Sequence, residues 1–153
     1  MVMNSTLERP VSGPNLSAAI GLLAAARRGL YESATASRTV ERYASAHLAA
    51  LRCAAAVLAA RARPEAPSTR RARPSRNAWV LLTQVAPELA EWAAFFAAGA
   101  SKRAAAEAGL DGSVTAREAD DLVRDAEIFL ALVETTIGLV HQPVLPVDSA
   151  RAS

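Results

Sequence analysis

The sequence predicts an all-α fold, an up-down bundle of four main helices. Hydrophobic residues make up 52% of the 153-residue chain, and alanine, the strongest helix former, supplies much of that share. Valine and isoleucine never alternate with polar residues as they do in a strand. Apolar positions instead recur at steps of three and four in long segments joined by turn residues, which is the signature of helices packed side by side. The length suits one domain with a core of its own.

Residues 1–14, "MVMNSTLERPVSGP", carry two prolines and a glycine and are expected to form a flexible lead. The bundle is expected over 15–140. Its first helix is predicted at about 15–35, capped by Asn15 or Ser17. Leu16, Ile20, Leu23 and Leu30 form its apolar stripe. A second helix is predicted at about 38–62, with Ser37 as cap and an inward stripe of Val40, Tyr43, His47, Leu51, Ala54 and Leu58. "RPEAPSTRRARPSR", 63–76, holds three prolines, five arginines and nothing apolar larger than alanine. Such a segment buries too little to offset its ordering entropy and reads as a mobile basic loop.

The third helical region, about 77–108, opens at Asn77. Pro87 would clash with the carbonyl four residues earlier in a continuous helix, so a short helix at 78–85 and a longer one from Pro87 are expected. Leu82, Val85, Leu89, Trp92, Phe96 and Gly99 step by three and four like a bundle seam. Trp79, Trp92, Phe95 and Phe96 follow helical spacing with no basic residues between them. They read as core or subunit-contact anchors rather than a base-stacking platform. Gly109 and Gly112 end this region. Thr115-x-x-Glu118 then forms a capping box for a last helix to about 140. Its inward stripe is Ala119, Leu122, Ala126, Phe129, Val133 and Thr136 or Ile137. Residues 141–153, with Pro143, make a flexible tail.

Composition excludes several classes of function. A single cysteine, Cys53, rules out an intrachain disulfide and a cysteine-based zinc site. No run of about 18 apolar residues free of charge occurs and no leader pattern opens the chain, so a cytoplasmic protein without a membrane span is expected. The net charge is +2, with sixteen arginines and one lysine. That bias follows genome composition and is not by itself an RNA-binding signature. No phosphate-cradling glycine loop or nucleophile elbow is present, and no cofactor is implied. His47 and His141 are far apart, and facing Glu-x-x-His pairs are lacking, so no metal site is expected. In the acidic run Glu118, Asp120, Asp121 and Asp125, Glu118 and Asp121, or Asp121 and Asp125, can share a helix face, but at a helix start the run is accounted for by the helix dipole.

One pair remains. Within "ERYASAHLAALRCAAAVLAAR", Arg42 and His47 stand five residues apart. On a straight helix that separates them by roughly 140 degrees, with Arg42 on the wet side and His47 in the apolar stripe. Either His47 is a packed imidazole and Arg42 an exposed cation, or a second subunit completes a shared site.

This stretch, with "NAWVLLTQVAPELAEWAAFFAAGA" and "VTAREADDLVRDAEIFL", resembles the HEPN domain (higher eukaryotes and prokaryotes nucleotide-binding), in particular a small stand-alone actinobacterial branch. The resemblance spans about 15–140. It implies a compact, typically dimeric helical bundle that binds RNA, a nucleotide or a protein partner such as an antitoxin. Many members are metal-independent endoribonucleases and toxins marked by Arg-x(4–6)-His, and only Arg42 and His47 match that motif here. By that resemblance Arg42 would hold the phosphate and its developing charge, and His47 would move protons or orient the 2′-hydroxyl. Two departures favour a non-catalytic member: Tyr43 follows the arginine where active members carry a polar residue, and the motif lies early in the chain. The alternative from another class is a non-catalytic helical adaptor for protein partners.

Overall fold

The computed structural model describes residues 13–61 and 77–139. The expected basic loop 63–76, the tail from 141 with His141, and the first twelve residues of the expected lead lie outside the described residues. The remaining chain folds into six α-helices: α1 (Gly13–Thr35), α2 (Thr39–Ala60), α3 (Ala78–Val85), α4 (Ala90–Ala98), α5 (Ala100–Glu107) and α6 (Ala116–Thr136). A short 3-10 turn, Pro87–Leu89, separates α3 from α4. The all-α prediction stands; the third region, however, is broken twice rather than once.

α2 is the central element and packs against α1, α3, α5 and α6. Its alanines explain why. Ala46, Ala49, Ala50, Ala54 and Ala56 are wholly buried together with Cys53 and Val57. Side chains this small let neighbouring backbones approach closely on more than one side. By length and composition α2 is also the one described helix apolar enough to cross a membrane, but much of it is covered by the rest of the fold. Cys53 sits in this face, and burial pushes its thiol up to about 12. At that value it is a packing residue and not a nucleophile.

The large side chains fill the other half of the core. Trp79 stacks on Phe96 at 5.2 Å between centroids, Trp92 stacks on Phe129 at 5.5 Å, and Phe96 meets Phe129 at 5.1 Å. These rings join α3, α4 and α6. Trp79 and Phe96 are therefore core anchors, as their spacing predicts, whereas Phe95 is half exposed. Ile20 and Val85, assigned to inward stripes, also face outward.

Helix ends follow local chemistry. α1 starts at Gly13, which places Asn15 and Ser17 inside its opening turns rather than at the cap. The α2 cap position falls on Arg38, not Ser37, and no side chain bonds there. Asn77 occupies the predicted cap of α3 but its side chain makes no capping bond. The α6 box is complete: Glu118 N–H donates to Thr115 Oγ1 at 3.0 Å, and Thr115 N–H donates to Glu118 Oε1 at 2.9 Å. α5 ends on Gly109 (φ +75°), with Leu110 N–H reaching the Ala105 carbonyl. α6 ends on Gly138 (φ +83°), with Leu139 N–H reaching the Glu134 carbonyl. Both are left-handed caps that only glycine enters without strain. The last helix thus stops four residues earlier than predicted.

One buried charge crosses the bundle. Glu134 on α6, with a side chain 3% exposed, accepts from Arg27 Nη2 on α1 at 2.5 Å. Removing the cation from beside a carboxylate that stays buried is costly. Arg27→Ala is therefore expected to lower unfolding free energy by about 3 kcal/mol in a denaturant titration. Thr115→Ala, which removes one half of the capping box, should cost about 1 kcal/mol in the same measurement.

Candidate functional site

The α-helical spacing of α2 decides where its polar residues go. Positions 43, 46, 47, 50, 54 and 57 turn inward, so Tyr43 and His47 are drawn into the core with the alanines. His47 is 1% exposed. Its Nε2 lies 2.9 Å from the Phe96 carbonyl oxygen, an acceptor, so Nε2 carries the hydrogen and donates. The ring stands edge-on to Trp79 and Phe96, at 81° and 86°. Nδ1 is buried and has no hydrogen-bond partner. Burial holds the imidazole below its ordinary pKa; the bond to Phe96 opposes that shift and the Arg103 charge adds to it. His47 is thus a neutral ring at pH 7.

Arg42 goes elsewhere. Its Nε lies 3.2 Å from Asp120 Oδ1 at the start of α6, and its Nη1 donates to the Ala36 carbonyl in the α1–α2 turn at 3.3 Å. The Arg42 carbonyl accepts from Ser33 Oγ at 2.6 Å. Rather than lying free on the wet side, the guanidinium is 16% exposed and pins three segments together. α2 continues through Ser45 without a break, so nothing swings Arg42 towards His47. Within one chain the two sequence-predicted residues are not brought together.

The structure groups a different set around His47. A cleft of about 460 Å³ opens between α2, the α4–α5 joint and the first half of α6. Tyr43, His47, Phe96 and Gly99 line it along with the half-exposed Phe95. Lys102, Glu118, Asp121 and Asp125 supply its charges. Lys102 Nζ pairs with Glu118 Oε2, the same carboxylate that completes the α6 capping box. This pairing lowers the Glu118 pKa and raises that of Lys102, so both remain charged. Asp121 faces Arg124 at 3.3 Å and Arg117 at 3.9 Å on the solvent side. Asp125 is raised above the ordinary carboxylate value, first by burial; Arg124 opposes that shift and the nearby Asp121 charge adds to it. The cleft thus carries three carboxylates against one ammonium.

Gly99 shapes the floor. It joins α4 to α5, and a Cβ built there would lie 2.9 Å from Tyr43 Oη and 3.6 Å from His47 Cδ2. Glycine is required here by close approach, not by backbone conformation, since its φ is −87°. Sequence reasoning placed Gly99 on the seam without this role. It also set aside the acidic run as a helix-start feature. The steps 118, 121, 125 did carry the signal that these carboxylates share one face, but nothing in the sequence said which helix faces them. Among the described residues, no group of three histidine, cysteine, aspartate or glutamate side chains is placed to hold a metal.

With α2 at its centre and an Arg-x4-His pair beside an α4–α6 cleft, the chain is a small all-α helical domain. Residues 33–134, from the end of α1 through most of α6, match the SAV_6107-like HEPN family model, and the chain belongs to the HEPN family. No curated protein and no solved structure matches it.

The burial of His47 fixes a sign. The unfolded imidazole takes up a proton near pH 6.5, while the folded one resists until lower pH. The unfolded state then binds more protons, so this contribution is present above about pH 6.5 and is lost as pH falls through the lowered folded value. Melting temperature should therefore begin to fall on acidification below that point. His47→Leu should remove this early part of the fall. At pH 7.5 it should melt within a few degrees of the parent, because the Phe96 carbonyl also accepts from Gly99 N–H and the orphaned Nδ1 disappears. Gly99→Ala should destabilise by about 1–3 kcal/mol through overpacking. Adding Tyr43→Phe, which deletes the hydroxyl in the way, should restore much of the loss in a double-mutant cycle.

Proposed function

We propose that this HEPN-family chain is a non-catalytic binding domain whose partner is a protein rather than an RNA to be cut. The observation that carries this reading is the separation of Arg42 from His47. The guanidinium is engaged by Asp120 and the Ala36 carbonyl, and the imidazole spends its Nε2 hydrogen on the Phe96 carbonyl. A phosphate needs a free cation, and general acid–base work needs a ring nitrogen within reach of substrate. Neither is presented on the surface of one chain. The cleft over His47 adds an electrostatic argument, because its lining carries three carboxylates and one ammonium and so offers a nucleic acid backbone no net positive charge. This is the adaptor reading of the sequence, now attached to a particular cleft.

A second reading is favoured by the motif itself. Arg42-x4-His47 has the spacing that marks active members, and a symmetric homodimer presents two copies of one helix to each other. In that arrangement Arg42 of one copy and His47 of the other would serve a metal-independent endoribonuclease of the toxin type, with an antitoxin as protein partner. It requires both side chains to leave their present partners.

Purified chain incubated with single-stranded RNA in EDTA separates the two. The expected result is intact RNA at protein concentrations that span any dimerisation. Cleavage that disappears in both Arg42→Ala and His47→Ala would establish the nuclease instead.

A further inference from the structure

The α6 face that closes the cleft changes character along its length. Asp121 and Asp125 stand one turn apart and line the cleft, and Ile128 and Leu132 continue the same face at the next two helical steps. Ile128 is 48% exposed and Leu132 is half-buried against the core. Across from the carboxylates, Phe95 on α4 lines the cleft and is itself 48% exposed. The result is an anionic groove over Tyr43 and Gly99, with Ile128 as an exposed apolar end on the α6 face just beyond its lining. Among the described residues, no cation pairs with Asp125, although the Arg124 charge acts on it from its own helix. The Arg124 and Arg117 pairs of Asp121 lie on the solvent side, where ion pairs contribute little and are readily exchanged.

We infer that this groove is a docking site for a basic amphipathic segment of a partner protein, whose arginine or lysine enters between Asp121, Asp125 and the Phe95 ring while an apolar residue covers Ile128. The inference rests on the binding-domain reading above and names the partner's chemistry. Charge complementarity selects the cation: two carboxylates that repel one another are both satisfied by one guanidinium or ammonium, and an aromatic ring beside them adds a cation–π contact. The apolar end selects a peptide over a free amine, because a small cation leaves Ile128 uncovered. The seven residues from Asp121 to Ile128 rise about 10 Å along α6. A partner helix would span that with its cation and its apolar residue two turns apart, the spacing of a helix laid in a groove.

Selection of phage-displayed random 16-residue peptides on the intact chain tests this directly. Enriched peptides should pair arginine or lysine with a large aliphatic or aromatic residue about seven positions away. A synthetic copy of an enriched peptide should lose roughly tenfold or more in affinity against Asp121→Asn/Asp125→Asn, and again against Phe95→Ser. Spermidine at matched concentration should not displace it. The carboxylate variant should melt at or above the parent temperature, since Asp125 is partly desolvated, and this separates lost binding from lost fold. Enrichment of acidic peptides, no enrichment at all, displacement by spermidine, or equal affinity for the double variant would each overturn the assignment. RNA cleavage in the separate nuclease assay would instead overturn the functional reading, whatever peptides are selected.

Discussion

The rest of the molecule depends on one packing constraint: the small residues of α2 are covered by several neighbouring helices. With alanine and Cys53 on its inward side, α2 sits close to α1 and α6 along its length. A helix held this way has little freedom to rotate or bend. Its polar residues must take the azimuth that their position dictates, and five residues separate Arg42 and His47 by more than a third of a turn. The distribution of chemistry around the site follows from there. His47 is carried into the aromatic cluster and kept neutral, and Arg42 is carried to the edge where the α1–α2 turn meets α6. The pair divides into one residue that packs and one that ties.

The charges repeat that division. Arg27–Glu134 clamps α1 to α6 from within, and Arg42–Asp120 ties α2 to α6 at the end of the bundle. Glu118 joins fold and cleft in one side chain. One of its oxygens closes the α6 capping box and the other holds Lys102 from α5. The cleft wall is therefore fixed by the same contact that starts the helix, and the cleft keeps its shape as long as α6 keeps its first turn. Pairs on the surface contribute little singly, but a carboxylate held at both oxygens is pre-set for its neighbours.

Much of this architecture was legible in the sequence because its cues were local. The box Thr115-x-x-Glu118, the break at Pro87 and the glycine stop at Gly109 each act within a few residues, and all three appear where the pattern puts them. The azimuths of Arg42 and His47 were legible for the same reason, since a single uninterrupted helix fixes them. The errors came where the deciding contact was distant. At the second break, the fit of a glycine at position 99 follows from the approach of Tyr43 and His47 across more than fifty residues. Ile20, Val85 and Phe95 had correct helical spacing, but the described residues leave each of them partly uncovered. Gly138 stops the helix inside an apolar pattern that continues through Leu139 and Val140 towards Pro143. The cleft itself was invisible: the sequence put three carboxylates on one face but could not say that α4, α5 and α2 stand opposite.

Membership of the HEPN family does not carry cleavage with it, because the motif's spacing and its geometry are separate requirements. For Arg42 and His47 to act together, Arg42 must leave Asp120 and the Ala36 carbonyl, and His47 must leave the Phe96 carbonyl. The exposed Asp120 pair costs about 0–1 kcal/mol and the Phe96 hydrogen bond about 1 kcal/mol. Neither is a large barrier. The larger one is burial: His47 is 1% exposed beneath Phe96 and Gly99, so its ring reaches substrate only if the α4–α5 joint lifts. That joint is where the third region is broken, and the Tyr43 hydroxyl stands where a side chain on its glycine would go. The residue that follows the arginine in the motif is thus the one that bars a side chain from the joint beside the histidine. A smaller residue at that position would leave room for one. The identity of residue 43 therefore has a physical consequence at Gly99 and in the packing around the histidine four residues on, which is where the spacing of the motif and the geometry of the site part company.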